Sequence, residues 1–307
     1  VSDVAVFRIG TRGSALALAQ TRTVAAALEK TGLTVELVTI TTAGDTSKAS
    51  LASLGGTGVF ASALRDALLE GRCDAIVHSL KDLPTHPHPG LVVAAIPKRE
   101  DARDALCARD GLTLDTLPAG ARVGTGSPRR HAQLLSRQDD LEVVDIRGNV
   151  DTRLGRVGVD LDAVILAAAG LSRLGRLDAV TEFLDIDSWP SAPGQGAVAV
   201  EVRAGEEKSV RALDHFTTRT VVEAEREVLA LLEAGCAAPV GAHAVIDDGL
   251  LFLSARVYSL DGAEKLTSSH ALYLSDVKNP ASDLAARVAH ELLDAGAATI
   301  APLGETS

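Results

Sequence analysis

Five short stretches carry side chains whose types and spacing could do chemistry. "GTGSPRRHAQLL" places Ser127 as a helix N-cap, Pro128 at the first helical position and Arg129 with Arg130 in the first turn, beneath a Gly-rich strand end. Positive side chains there oppose the helix dipole unless an anion binds, so the pair reads as an anion site or as a solvated surface pair. "DIRGNVDTRL" repeats the logic, with Arg147 at a strand end beside Gly148 and Arg153 after a turn. "HSLKDLPT" closes an apolar strand with His78, Ser79, Lys81 and Asp82 ahead of a proline. A catalytic carboxylate suits such a strand end, and so does a turn with a surface Lys–Asp pair worth about 0 to 1 kcal/mol. Arg12 in "GTRGS" sits at another strand end and leaves the same two readings open.

The fifth stretch, "LLEAGCAAPVG", puts Cys236 among small turn residues after a charged helical run. A thiolate nucleophile wants a helix N-terminus or a histidine partner, whereas Cys236 follows a helix C-terminus and His243 is only a sequence neighbour. A thiol alkylated once and then retained suits this location better than one cycling through turnover. Cys73 and Cys107 lie in apolar, strand-like runs and read as core. No CxxC or Cys/His cluster indicates a metal, so none is expected.

Composition bounds the function classes. With 307 residues and 46% hydrophobic content the chain can bury large cores in two or three domains. The longest apolar run, Ala163 to Leu171, is far short of the roughly 20 residues of a membrane span, and nothing at the N-terminus marks export. Three cysteines make no disulfide framework, so a reducing cytoplasm is expected. A net charge of −11 argues against nucleic acid as partner. Yet from Arg122 to Arg176 there are nine arginines and no lysine against seven acidic residues. Arginine's planar fork suits bidentate pairing with carboxylate or phosphate, and no aromatic residue lies there to stack on bases.

The elements that must position these residues alternate. "FRIGT" reads as a strand, "SALALAQTRTVAAALEK" as a helix capped by Ser14, "LTVELVTIT" as a strand, "VFASALRDALLEG" as a helix and "CDAIVHS" as a strand. The theme recurs with "ARVGT", helix "SPRRHAQLLSRQ", "LEVVDI", a helix near 150–157, "LDAVILA" and helix "AAGLSRL". Two α/β lobes with mostly parallel sheets follow, with ligand expected between them at the strand C-terminal ends. The last third changes to helix 218–234, strand-like "GAHAVI" and "LLFLSARVYSL", and helix 281–295, a small α+β domain. Residues 42–58 are rich in Gly, Ser and Thr and read as a lid.

Eight ordered blocks, "RIGTRGSALALAQ", "GVFASALRDALLEG", "VHSLKDLPT", "VGTGSPRR", "RGNVDTRL", "LAAAGLSRLG", "APGQGAVAVE" and "EAGCAAPVG", resemble the porphobilinogen deaminase (hydroxymethylbilane synthase) family over nearly the whole length, with actinobacterial members nearest. The resemblance implies two lobes like type II periplasmic binding proteins, each a mostly parallel sheet with one return strand. It implies lobe 1 at 1–98 with 197–214, lobe 2 at 99–196 and a C-terminal α+β domain at 215–307. It implies stepwise condensation of four porphobilinogen molecules, each losing ammonia to give an azafulvene-like electrophile, on a dipyrromethane cofactor in thioether linkage to Cys236. Hydrolysis then releases hydroxymethylbilane. By the same resemblance Asp82 is the catalytic carboxylate and also contacts the cofactor. Lys81, Ser127, Arg129, Arg130 and Arg147 bind cofactor; Arg12, Ser14, Phe60, Arg147, Arg153, Arg173 and Gln195 bind substrate. The expected partner is porphobilinogen, the expected state a cytoplasmic monomer with product hand-off to uroporphyrinogen-III synthase, and no membrane or nucleic acid is involved. Ser53 and Thr57 stand where many members have lysine, with Lys48 nearby, and "SPRR" replaces "SLRR".

A non-catalytic anion carrier on the same scaffold would explain the arginines but gives no reason for Cys236. A cysteine acyltransferase would explain Cys236 but lacks the histidine.

Overall fold

The computed structural model describes residues 6–41, 58–235 and 238–304. In chain order come strand β1 (Val6–Thr11), helix α1 (Ala15–Glu29), β2 (Thr34–Thr39), α2 (Gly58–Leu69), β3 (Ala75–Ser79) and β4 (Leu91–Ala95). Then follow β5 (Asp104–Ala108), β6 (Arg122–Gly124), α3 (Pro128–Arg137), β7 (Glu142–Val144), α4 (Val150–Leu154), β8 (Ala163–Ala167), α5 (Ala168–Arg173) and β9 (Glu182–Phe183). The chain continues through β10 (Val198–Arg203), α6 (Phe216–Leu231), β11 (Val240–Asp247), β12 (Leu250–Tyr258), β13 (Lys265–Tyr273), α7 (Pro280–Asp294) and α8 (Ala297–Ile300). Two compact units result, residues 1–100 with 197–219, and 101–196 with 220–307.

The first unit is built on a sheet ordered β2-β1-β3-β10-β4. β1 runs parallel to β2 and β3, and β10 is the single return strand, antiparallel to β3 and β4. A parallel strand covered by helices on both faces must be apolar throughout, and β3 is buried at Ala75, Ile76, Val77 and His78. One face packs Ile9, Val77 and Val200 against Val24 and Leu28 of α1; the other packs Ile76 against Leu64 and Leu68 of α2. Cys73 joins the second cluster, and burial raises its thiol.

The second unit contains a sheet ordered β7-β6-β8-β5-β9, with β6 parallel to β7 and β8 and with β5 as return strand. Cys107 on β5 lies in its core, and burial pushes the thiol up to about 11. The same unit holds the antiparallel meander β11-β12-β13. α7 packs on β12 and β13 through Leu284, Ala285, Val288, Ala289 and Leu292, the i, i+4 stripe of an amphipathic helix. Among the described residues no helix is long and apolar enough to cross a membrane.

β10 carries one charge into the core. Glu201 is 2% exposed and is held by Arg65 of α2 at 2.8 and 3.0 Å, with His78 Nε2 of β3 3.1 Å away. Burial pushes its carboxyl up, but His78 and Arg65 outweigh that and bring it to about 2 from the ordinary 4.5. A depressed carboxyl contributes stability that is present above the unfolded-state pKa and lost as pH falls from about 4.5 through about 2. Glu201→Gln leaves Arg65 buried without its counter-ion, so urea unfolding at pH 7 should show a loss of about 3–5 kcal/mol. The same variant should lose less stability than the parent between pH 4.5 and 3, and parallel acid limbs would contradict the assignment.

Candidate active site

In the second unit the C-terminal ends of the parallel strands β6, β7 and β8 deliver the cationic residues to one edge of the sheet. β6 runs into Gly124-Thr125-Gly126-Ser127, and a Cβ at Gly126 would stand 2.6 Å from the Ile146 carbonyl, so only glycine lets this strand end pass the one following β7. Ser127 then caps α3: its Oγ accepts from Arg130 N at 3.5 Å, and its own N–H donates to Thr125 Oγ1 at 3.2 Å. β7 leads to Arg147 and to Gly148 at φ +102°, which aims Asn149 to cap α4 by accepting from Thr152 N at 2.8 Å. Arg153, half-buried in α4, donates from Nε to the Gly148 carbonyl at 2.9 Å.

Arg129 and Arg130 are buried, 4% and 5% exposed, and they share one carboxylate. Asp104, the first residue of β5, is fully buried. Its Oδ1 accepts from Arg130 at 2.7 Å and from Gln195 Nε2 at 2.8 Å. Its Oδ2 meets Arg129 at 2.9 Å and accepts from Trp189 Nε1 at 3.0 Å. Burial alone would raise the Asp104 carboxyl; the two guanidiniums and the hydrogen bonds hold it well below the usual carboxylate range. Arg130 also donates to the Ile165 carbonyl at 2.9 Å.

Two guanidiniums against one carboxylate leave a cationic excess. Burial lowers the proton affinity of Arg153, and Arg130 and Arg147 add repulsion that Asp145 opposes. Burial likewise lowers Arg129, Asp104 raises it and Arg130 lowers it again. The Nε atoms of Arg129 and Arg130 are buried with no hydrogen-bond partner among the described residues. Desolvated positive charge with donors to spare is what an anion site requires.

In the first unit the parallel strands β1 and β3 end side by side. β1 leads to Arg12 and to Ser14, whose Oγ caps α1 by accepting from Ala17 N at 3.3 Å. β3 leads to a 3-10 turn, Leu80–Asp82, fixed at its start by Gln20 Nε2 donating to Ser79 Oγ at 2.7 Å and by Leu80 N donating to the Ala197 carbonyl at 3.0 Å. Asp82 emerges exposed from this braced turn, with Lys81 half-buried beside it.

Arg173, at the end of α5, donates to the Gly196 carbonyl at 2.8 Å. Gln195 is fully buried, its amide tied to the Ala102 carbonyl at 2.8 Å as well as to Asp104. Cys236, residues 42–57 of the expected lid and the Phe60 side chain lie outside the described residues. Asp104, Trp189 and Gln133 escaped sequence reasoning, although a capped Arg-Arg pair in an apolar setting calls for an acid nearby.

Residues 7–211 match the porphobilinogen deaminase dipyrromethane cofactor-binding domain, and residues 219–294 match the C-terminal domain of the same family. The chain belongs to the porphobilinogen deaminase family. It is 62% identical to the porphobilinogen deaminase of Leifsonia xyli, over 96% of this chain and 94% of that one. It is 52% identical to that of Thermobifida fusca, over 94% of each. Among solved structures it is similar to a periplasmic substrate-binding protein from Coxiella burnetii, at 16% identity and a TM-score of 0.42, over 67% of this chain and 91% of that one. Membership makes the chain a transferase of the tetrapyrrole pathway, a hydroxymethylbilane synthase with a dipyrromethane cofactor.

A dipyrromethane carries acetate and propionate groups, and the residues present fit it: Arg153 is desolvated and repelled by Arg130 and Arg147, and the carboxylates of such a group would offset that repulsion. Glutarate should therefore raise the Tm of a Cys236→Ser protein by about 2–4 °C, where chloride of equal ionic strength does not. Arg153→Gln should remove most of that shift, and an equal shift in both proteins would show that the cluster is not an anion site.

Proposed function

We propose that this chain condenses four porphobilinogen molecules head to tail, expels four molecules of ammonia, and takes up one water to release hydroxymethylbilane. The observation that carries the reading is the desolvated cationic excess on the strand ends of the second unit, in a chain that is acidic overall. A dipyrromethane in thioether linkage to Cys236 supplies a free pyrrole α-carbon as primer. Arg130 and Arg147, with Ser127 and Lys81, hold its acids, and Arg12, Ser14, Phe60, Arg147, Arg153, Arg173 and Gln195 serve substrate, each charged contact worth about 1.5–3 kcal/mol. Asp82, exposed on a turn braced at its start by Gln20 and the Ala197 carbonyl, stabilises positive charge on substrate pyrrole nitrogen as ammonia leaves and takes up protons there. The division of labour follows lobes at 1–98 with 197–214 and at 99–196, with 215–307 carrying the cysteine. The chain works as a cytoplasmic monomer and passes its product to uroporphyrinogen-III synthase.

Intact mass under denaturing conditions should exceed that of the chain by one dipyrromethane unit, and Cys236→Ser should abolish the addition. A fully active protein with a free, alkylatable Cys236 would overturn the anchor. Asp82→Asn should retain cofactor while turnover falls at least about 10²-fold, as expected for about 2.7–4 kcal/mol of lost electrostatic stabilisation. Near-normal turnover with cofactor in place would remove Asp82 from the chemistry.

A further inference from the structure

Arg129 is expected among the cofactor ligands, yet most of its N–H groups point elsewhere. Its NH1 donates to Gln133 Oε1 at 2.6 Å and to the Pro190 carbonyl at 3.0 Å, and its NH2 faces Asp104 Oδ2 at 2.9 Å. Gln133 lies one turn further along α3 on the same face and donates from Nε2 to the same Pro190 carbonyl at 2.9 Å. Its Nε2 also reaches the Tyr258 hydroxyl of β12 at 3.4 Å, and that hydroxyl accepts from Arg256 at 3.3 Å. Arg129, Gln133 and Tyr258 are all buried.

The Pro190 carbonyl is where the C-terminal meander meets the second α/β sheet. Gly241 of β11 packs directly on it, since a Cβ there would stand 2.7 Å from that oxygen. The next residue, Ala242, donates to the Ser191 carbonyl at 3.0 Å, and Tyr258 N donates to the Pro239 carbonyl at 3.1 Å. The β12–β13 turn adds a second attachment, Gly262 lying so close to the Ala132 carbonyl and Ser136 N of α3 that no side chain fits. Arg256 fastens the far side by donating to the Ser188 carbonyl at 2.8 Å. One helix, α3, thus carries Arg130 into the anion cluster and through Arg129 and Gln133 grips the loop against which β11 is seated.

We infer that Arg129 is a positioning residue, a latch that acts through Gln133 and the Pro190 carbonyl to hold the C-terminal meander against α3. This goes beyond the proposed function and rests on it in one respect: the cysteine to be loaded lies three residues before Pro239 in sequence. Loading then requires the latch, because acids held by Arg130 must stay in register with a thiol that precedes the meander in sequence. Once the thioether has formed, it maintains that register itself. Loss of the latch therefore slows cofactor attachment and leaves substrate affinity of the loaded enzyme intact, whereas loss of a direct anion ligand weakens affinity.

The test compares Gln133→Leu, Arg129→Leu and the double variant in the full chain, made as apoprotein and reconstituted with porphobilinogen. Intact mass should show each single variant loading at least about tenfold more slowly than the parent, as for the loss of one buried hydrogen bond. The double variant should be no slower than Arg129→Leu, because the two residues act as one unit. The KM for porphobilinogen of the loaded Gln133→Leu fraction should stay within about twofold of the parent, since that side chain makes no anion contact. Amide exchange at Ala242 should quicken at least about tenfold in both single variants, with the β8 amides unchanged. Tyr258→Phe, which removes only a hydroxyl, carries the same comparison should Arg129→Leu fail to fold. Wild-type loading by Gln133→Leu, unaltered exchange at Ala242, or a raised KM in loaded Gln133→Leu would each overturn the latch. If the parent itself never gains mass, the anchor at Cys236 is wrong, and the exchange measurement still decides the latch.

Discussion

The second unit depends on one buried carboxylate. Two adjacent guanidiniums cannot leave water together without a counter-ion, because desolvation and mutual repulsion add. Asp104 supplies that counter-ion at the first residue of β5, where register opposite Ala167 sets it beside the first turn of α3. Trp189 Nε1 and Gln195 Nε2 complete its acceptor sites, so the charge is both paired and hydrogen-bonded. Because a single negative charge faces two positive ones, the pairing is incomplete by design of the site: α3 is secured, and an appetite for further carboxylates remains at its N-terminus. The helix dipole there adds to it.

The first unit uses the same device for a different end. Its return strand, β10, also carries one buried acid, Glu201, held by Arg65 and facing His78. There its effect is to tie α2 and β10 to β3, the strand that ends in the Asp82 turn. In each sheet the return strand brings an acid to groups contributed by the parallel βα elements. A mostly parallel core is thereby pinned at one polar point, and loose packing near either strand end would be costly.

Much of this was legible in the sequence. The alternation of apolar strands with capped helices marked both parallel sheets, and Ser14, Ser127 and Pro128 stand where cap chemistry put them. The helix read at 150–157 ends at Leu154, because Gly155 follows and the chain turns at once. β13 was invisible: most of "KLTSSHALY" is polar and exposed, and its strand pairing comes from β12. Asp104 was hidden for the opposite reason, since "DALCA" reads as a buried strand and its partners lie 25 and 26 residues away. Arg129 looked like a surface charge awaiting a ligand because sequence does not show Pro190, Gln133 and Tyr258 converging on it. That convergence is tertiary, and local periodicity carries no trace of it.

The account rests on Asp104 remaining ionised in a fully buried site, and the carboxyl carbon of that residue can be observed directly. In protein labelled with 13C at aspartate side-chain carboxyls, the Asp104 resonance is identified by its absence from the Asp104→Asn variant. Its shift should stay at the carboxylate value from pH 7 down to about 4, while exposed aspartates, with ordinary pKa values near about 3.9, begin to move. A resonance that titrates with the exposed aspartates, or sits at the protonated position at neutral pH, would contradict the two-arginine clamp and the anion site built on it.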